Sequence, residues 1–147
     1  MKMPWTDDLI GRQSPQTHHH IDRCTIQQFA RALRLTYAPY FDPEAARQMG
    51  YSDVIAPPTF PFTLTAAPIE GLDLPPNGII HGEQQFAYGA PITAGDDITV
   101  TSMVQGIKRR ANMVFLTIRT QGINQQGKMA FTAESLFIIT VSSQEVG

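Results

Sequence analysis

With 147 residues, 42% of them hydrophobic and 16% charged, the chain has the size and texture of one globular domain, which excludes a disordered or multi-domain protein. A net charge of −2 provides no field strong enough to attract nucleic acid or an anionic membrane. The single cysteine, Cys24, excludes an intrachain disulfide and a thiolate zinc site; with no apolar leader or span-length segment, it predicts a cytoplasmic protein without a cofactor.

Residues 1–16 read as irregular, with Pro4, Gly11 and Pro15 as turn formers. Residues 17–23 alternate weakly and suit an edge strand. His18-His19-His20 is native sequence rather than a tag. His18 and His20 would share a strand face, but zinc needs a third or fourth ligand and none is visible, so no metal is expected. Thr25 is placed to cap a helix beginning at Ile26, with Gln28 completing a capping box. Ile26, Phe29, Ala30 and Leu33 form its apolar stripe. Pro39 ends that helix near Leu35.

A second, short helix follows, with Asp42 as N-cap, Pro43 at the first helical position, Glu44 at the positive end and Gly50 as terminator. Ala56 to Pro68 reads as a buried extended entry into a core helix over Phe60–Ala67, with Pro61 confined to its first turn. Strands are predicted at about 79–88, 97–107, 113–122 and 128–141, rich in β-branched and aromatic residues. Turn chemistry lies at Pro91–Asp97, including Gly95-Asp96, at Lys108–Asn112 and at Asn124–Gly127. Ile98, Val100, Ser102 and Val104 share one face, as do Phe131, Ala133, Ser135, Phe137 and Ile139. These elements give a single α+β domain, residues 1–147: a four-strand antiparallel meander joined by an early strand, with a buried helix on its concave face. Its other face and one edge need cover, which predicts an oligomer.

Phe29-Ala30-Arg31, Asp42-Pro43-Glu44-Ala45-Ala46, Gly50-Tyr51, Ala56-Pro57-Pro58-Thr59-Phe60, His81-Gly82-x-Gln84-x-Phe86 and Pro91-x-x-Ala94-Gly95-Asp96 follow one another in order. Over roughly residues 8–140 they resemble the MaoC-like hot-dog family, and more narrowly its N-terminal, fatty-acid-synthase-like dehydratase branch. The resemblance implies a hot-dog fold, a curved antiparallel sheet wrapped around a central helix. It implies acyl thioesters of coenzyme A or acyl carrier protein as ligands. It also implies reversible hydration of a trans-2-enoyl thioester to the (3R)-hydroxyacyl product, and pairing of two folds side by side.

Competent members of that family carry a signature like Gly-Asp-x-Asn-Pro-Ile/Val-His between the first helix and the Asp-Pro-Glu helix. A carboxylate and an imidazole must hold one water and exchange its proton. Counted from Phe29-Ala30 or from Asp42-Pro43, the glycine falls on Arg34, the aspartate on Leu35, the asparagine on Tyr37 and the histidine on Tyr40. Leu35 takes no proton, and a phenol with its ordinary pKa near 10 is a poor base at neutral pH. By resemblance, then, this chain is an accessory or non-catalytic subunit that pairs with a competent hot-dog partner and shapes the acyl tunnel. Tyr40, Phe41, Pro57, Pro58, Thr59, Phe60 and Phe62 would line that tunnel, or else serve as ordinary core. Backbone N–H groups from Thr59 onward are candidate donors to a thioester oxygen.

Two other readings remain. His81 and Glu83, two apart on a predicted strand, would share a face and could form a replacement dyad in a self-sufficient homodimeric hydratase. Alternatively, the chain binds acyl thioesters without chemistry. Lys108-Arg109-Arg110, at a predicted hairpin tip, could meet coenzyme A phosphates or an acidic carrier protein; solvated surface charge is the plain alternative.

Overall fold

The computed structural model describes residues 5–141; the remaining ends of the predicted 1–147 domain, and Pro4 with them, lie outside the described residues. The alternating segments form β1 (Thr17–His20), β2 (Ile79–Tyr88), β3 (Asp97–Arg110), β4 (Met113–Ile123) and β5 (Met129–Thr140). They make one antiparallel sheet in the order β1-β3-β4-β5-β2. β3, β4 and β5 are the expected meander, but β2 does not precede β3 in the sheet: it pairs with β5, from Ile79↔Ile139 to Tyr88↔Phe131. The link from β2 to β3 explains the correction. Ala56 N–H donates to Ile92 O and Ala94 N–H to Val54 O, so this link docks on residues 54–56 and carries the chain across the domain instead of folding back as a hairpin.

The main helix, α1, spans Arg23–Ala32 and packs its apolar stripe against the sheet. It begins earlier than Thr25 predicts: Asp22 is the N-cap, without a side-chain capping bond, and Thr25 lies within the helix. Ile26 and Ala30 are fully buried, and Phe29 meets Phe60 edge-on at 5.4 Å. Leu33, expected in the stripe, falls at the C-cap and is 50% exposed. Arg23 donates to both carboxylate oxygens of Asp53, at 2.9 and 2.7 Å, and holds that carboxyl below the usual carboxylate range. The second helix, α2 (Pro43–Gln48), follows its sequence signals: Asp42 Oδ1 accepts from Glu44 N–H at 3.0 Å, and Gly50 turns out of it at φ +95°.

The predicted core helix over Phe60–Ala67 is only a 3₁₀ segment, Phe60–Leu64. Pro61 supplies no N–H, Thr63 and Thr65 donate their hydroxyls to the carbonyls of Phe60 and Phe62 at 2.8 Å each, and Pro68 bars continuation. The chain then runs over the sheet as an irregular strap to Leu74.

Two apolar clusters fill the concave side. The first joins Ile26, Val54, Phe60, Ile98, Val100 and Phe131; the second joins Trp5, Leu9, Val104, Leu116 and Ile139. The N-terminal segment is therefore part of the core. It makes one 3₁₀ turn, Asp7–Leu9, and bonds along β3 through Gly11 N–H to Val104 O and Ser14 N–H to Ser102 O.

Candidate functional site

The loop between α1 and α2 carries the positions of the signature. Arg34 N–H donates to Arg31 O and Leu35 N–H to Ala30 O, a helix-ending motif that puts Arg34 in the left-handed region at φ +58°. The position aligned with the signature glycine thus has the backbone that glycine prefers, a check on the register independent of side chains. Replacing the arginine should relieve that strain: Arg34→Gly is expected to raise stability by about 0.5–1 kcal/mol, read as a higher urea midpoint at unchanged slope. A lower midpoint would show that the arginine side chain earns its place by other contacts.

After Arg34, Leu35 is half-buried and Tyr37 meets Tyr40 edge-on at 5.2 Å. Burial, with a smaller contribution from Tyr37, pushes the Tyr40 phenol above its ordinary pKa. The loop is pinned where Ile55 N–H donates to Pro39 O at 3.1 Å and Gln27 Nε2 donates to Phe41 O at 2.7 Å. No carboxylate or imidazole stands at Leu35 or Tyr40, the two positions that the resemblance assigns to an acid–base pair.

Tyr40 walls a cavity of about 270 Å³ with Pro57, Pro58, Tyr88, Pro91 and Ile92. Tyr88 closes one side by donating its hydroxyl to Pro58 O at 2.6 Å. The predicted tunnel residues therefore divide. Tyr40, Pro57 and Pro58 line this cavity; Phe60 is buried core; Thr59 is exposed; Phe41 is half-buried and lines neither cavity. Phe62 lines a second cavity of about 470 Å³, between the strap and the faces of β4 and β5. The backbone donors proposed for a thioester oxygen are reduced, because Phe60 and Phe62 N–H already bond to Pro57 O and Thr59 O.

His81 and Glu83 do not share a face. β2 is bulged between them, with His81 opposite Phe137 and Glu83 opposite Leu136, so the extra residue, Gly82, reverses the alternation. His81 stacks between Phe62 and Phe137 at 5.2 and 4.9 Å and meets Gln84 Oε1 at 3.0 Å. Glu83 instead accepts from Gln85 Nε2 at 2.7 Å. Lys108, Arg109 and Arg110 lie within β3, just before a hairpin tip at residues 111–112. Arg109 is committed to Asp7 at 2.7 Å and to Trp5 O, whereas Lys108 and Arg110 are exposed. His18 meets Thr99 and His20 meets Asp97, which raises the His20 pKa through that hydrogen bond first. Asp96 is buried and structural: its oxygens accept from Thr93 N–H and Gln125 Nε2, both at 2.9 Å.

Thr120, Ser135 and Gln84 carry no signature that marks them as site residues. Thr120 and Ser135 line the larger cavity, and Ser135 donates to Gln84 Oε1 at 2.6 Å. The signal was a hydroxyl residue interrupting an otherwise apolar strand face.

Known proteins match this geometry. The family model for the FAS1-like, dehydratase domain region matches residues 8–133. A UPF0336 protein of Streptomyces griseus is 39% identical over 140 residues, covering 89% of this chain and 92% of its own. Among solved structures, the C-terminally truncated HadBC (3R-hydroxyacyl-ACP dehydratase) complex of Mycobacterium tuberculosis superposes with a TM-score of 0.77 at 22% identity, over 89% of this chain and 97% of that one. A MaoC-like dehydratase from Rhodospirillum rubrum gives 0.71 at 20% identity, over 90% and 93%. At these identities the superpositions establish the α+β hot-dog fold.

Proposed function

The chain belongs to the FAS1-like dehydratase-region family of MaoC-like hot-dog proteins, and from that premise we propose that it is the accessory, non-catalytic subunit of an (R)-specific enoyl-thioester hydratase or 3-hydroxyacyl-thioester dehydratase. One observation carries the reading: the scaffold of the signature loop is intact down to its left-handed backbone at Arg34, while Leu35 and Tyr40 occupy the places of its acid–base pair. A loop kept in shape without its chemistry serves to complete a structure that a partner uses.

On this reading the partner supplies the aspartate and histidine, and this chain supplies apolar volume for the tail of a coenzyme A or carrier-protein thioester. Tyr40, Pro57 and Pro58 wall one apolar cavity and the strap covers a larger one, and either offers volume to the chain. β2 is an outer strand of the sheet, and its free backbone edge is suited to pairing with a second hot-dog sheet. Lys108 and Arg110 are free to meet phosphate or an acidic carrier surface. The two-component HadBC complex is a precedent among proteins of this fold.

The test is co-expression with a MaoC-like hot-dog protein that carries the intact signature. The pair should co-elute and should hydrate long trans-2-enoyl thioesters faster than the partner alone, by about tenfold or more, the increment that one well-buried methylene supplies. Partners that never associate, or associate without any gain, would refute the proposal.

A further inference from the structure

The chain enters β2 through Pro75-Pro76-Asn77-Gly78. Asn77 and Gly78 are both exposed and lie outside any helix or strand, and Gly78 sits in the left-handed region at φ +79°. A backbone N–H inside a helix or sheet is tied to a carbonyl. The Gly78 N–H has no acceptor among the described residues, although its own carbonyl accepts from Thr140 N–H at 3.1 Å. Glycine carries no Cβ to crowd the approach of that nitrogen to the neighbouring side-chain amide.

The other two asparagines lack this combination. Asn112 is exposed at the hairpin tip, but the residue after it, Met113, carries a side chain and opens β4 opposite Thr140. Asn124 is followed by Gln125, and its Oδ1 accepts from Gln126 N–H and Lys128 N–H at 2.9 and 3.0 Å. Those two bonds hold its amide in the turn.

We propose that Asn77-Gly78 is a site of spontaneous covalent modification, at which the side-chain amide is lost and the chain is rebuilt as aspartate or isoaspartate. The Gly78 nitrogen gives its proton to solvent base and attacks Asn77 Cγ. A bond forms between those two atoms, the Cγ–Nδ2 bond breaks, and Nδ2 leaves as ammonia with a proton from solvent. The product is a cyclic imide. Water then opens one of its two carbonyls, and nothing is oxidised or reduced. Cleavage at Cγ restores the ordinary peptide bond and leaves aspartate. Cleavage at the main-chain carbonyl leaves isoaspartate, with the chain running through the former side chain. Either product puts a carboxylate where a neutral amide stood, so the net charge moves from −2 by one unit to −3. Isoaspartate also adds one carbon to the main chain beside Gly78. That loosens the start of β2, where Gly78 O meets Thr140 N–H and Ile79 pairs with Ile139.

The test is incubation of the purified, folded chain in warm, mildly alkaline buffer without ligand or partner. A species one charge more acidic should accumulate on ion exchange, faster as pH rises, because the attacking nitrogen must lose its proton. Peptide mapping should place the change at Asn77. Isoaspartate there is read by methyl transfer from a labelled methyl donor through an isoaspartyl carboxyl methyltransferase. Asn77→Gln, an exposed change whose longer side chain closes a less favourable ring, should lose the acidic species. Asn112→Gln should form it at the parent's rate. In the separated isoaspartyl form, the Thr140 amide should exchange its hydrogen faster than in the parent. The proposal is overturned if the folded chain stays intact while the same chain in urea is converted, if the change maps to Asn112 or Asn124, or if Asn77→Gln acidifies as fast as the parent.

Discussion

Purified by itself, the chain is expected to hydrate a crotonyl thioester at least about 10²-fold more slowly than a competent two-subunit enzyme, since each positioned acid–base group is worth roughly 10²–10⁴-fold and two that act as a unit do not multiply. Leu35 has no proton to exchange. Tyr40 holds its proton more firmly than a free phenol, because partial burial disfavours the phenolate. The remaining imidazole near a cavity is His81, which sits between two phenylalanine rings with an amide oxygen as its hydrogen-bond partner. The carboxylate proposed to work with it, Glu83, is turned to the opposite face by the bulge at Gly82. A stopped assay following loss of the enoyl absorbance measures the difference. Tyr40→Phe and His81→Ala belong in the same assay with the partner present: both should stay within about threefold of the parent complex, far from the loss that follows removal of a group that moves the proton. Brisk hydration by the chain alone, lost in His81→Ala, would establish the self-sufficient enzyme instead.

How much of this was legible beforehand follows from the range of each interaction. The α2 signals are local, and Asp42, Pro43 and Gly50 act as their chemistry predicts. Thr25 looked equally local as a cap, yet the helix begins at Arg23 with Asp22 as its N-cap; the packing of Ile26 is compatible with either start. The alternation of β3 and β5 was readable because one face is buried. The partner of β2 was not, because the choice between β3 and β5 is made by backbone bonds from residues 54–56 to 92–94, distant in sequence. The dyad failed for a similar reason: a period-two argument assumes no bulge, and Gly82 is where one occurs. For the site, replacement at Leu35 and Tyr40 was visible in the residues themselves. Ser102 and Ser135 were legible as hydroxyls on apolar faces, but their bonds to Thr120 and Gln84 on the neighbouring strands need the register.

The largest loss of stability is expected where Phe131 of β5 closes over Gly122 of β4. Phe131 is fully buried and lies opposite Gly122 in register. A Cβ on Gly122 would come within 2.3 Å of Phe131 Cε1 and 2.7 Å of Cδ1, so the ring covers the glycine. Phe131→Ala should cost about 3–5 kcal/mol, the transfer of a ring plus the cavity it leaves. For a domain of this size that is a fall in melting temperature of roughly 10 °C. Gly122→Ala should also destabilise, by about 1–3 kcal/mol, because a ring closed in on every side has no room to retreat. This sign opposes the backbone preference, by which alanine in a strand is favoured over glycine by about 0.5–1 kcal/mol, so a measured loss isolates the contact with the ring. The double variant separates contact from coincidence. With the ring gone, the new methyl group fills part of the vacated volume, and the pair should be less destabilised than the sum of the singles by about 1–3 kcal/mol. Urea unfolding at one fixed protein concentration keeps any self-association constant across the set. Strict additivity, or a stabilised Gly122→Ala, would mean that the glycine serves the strand and not the ring.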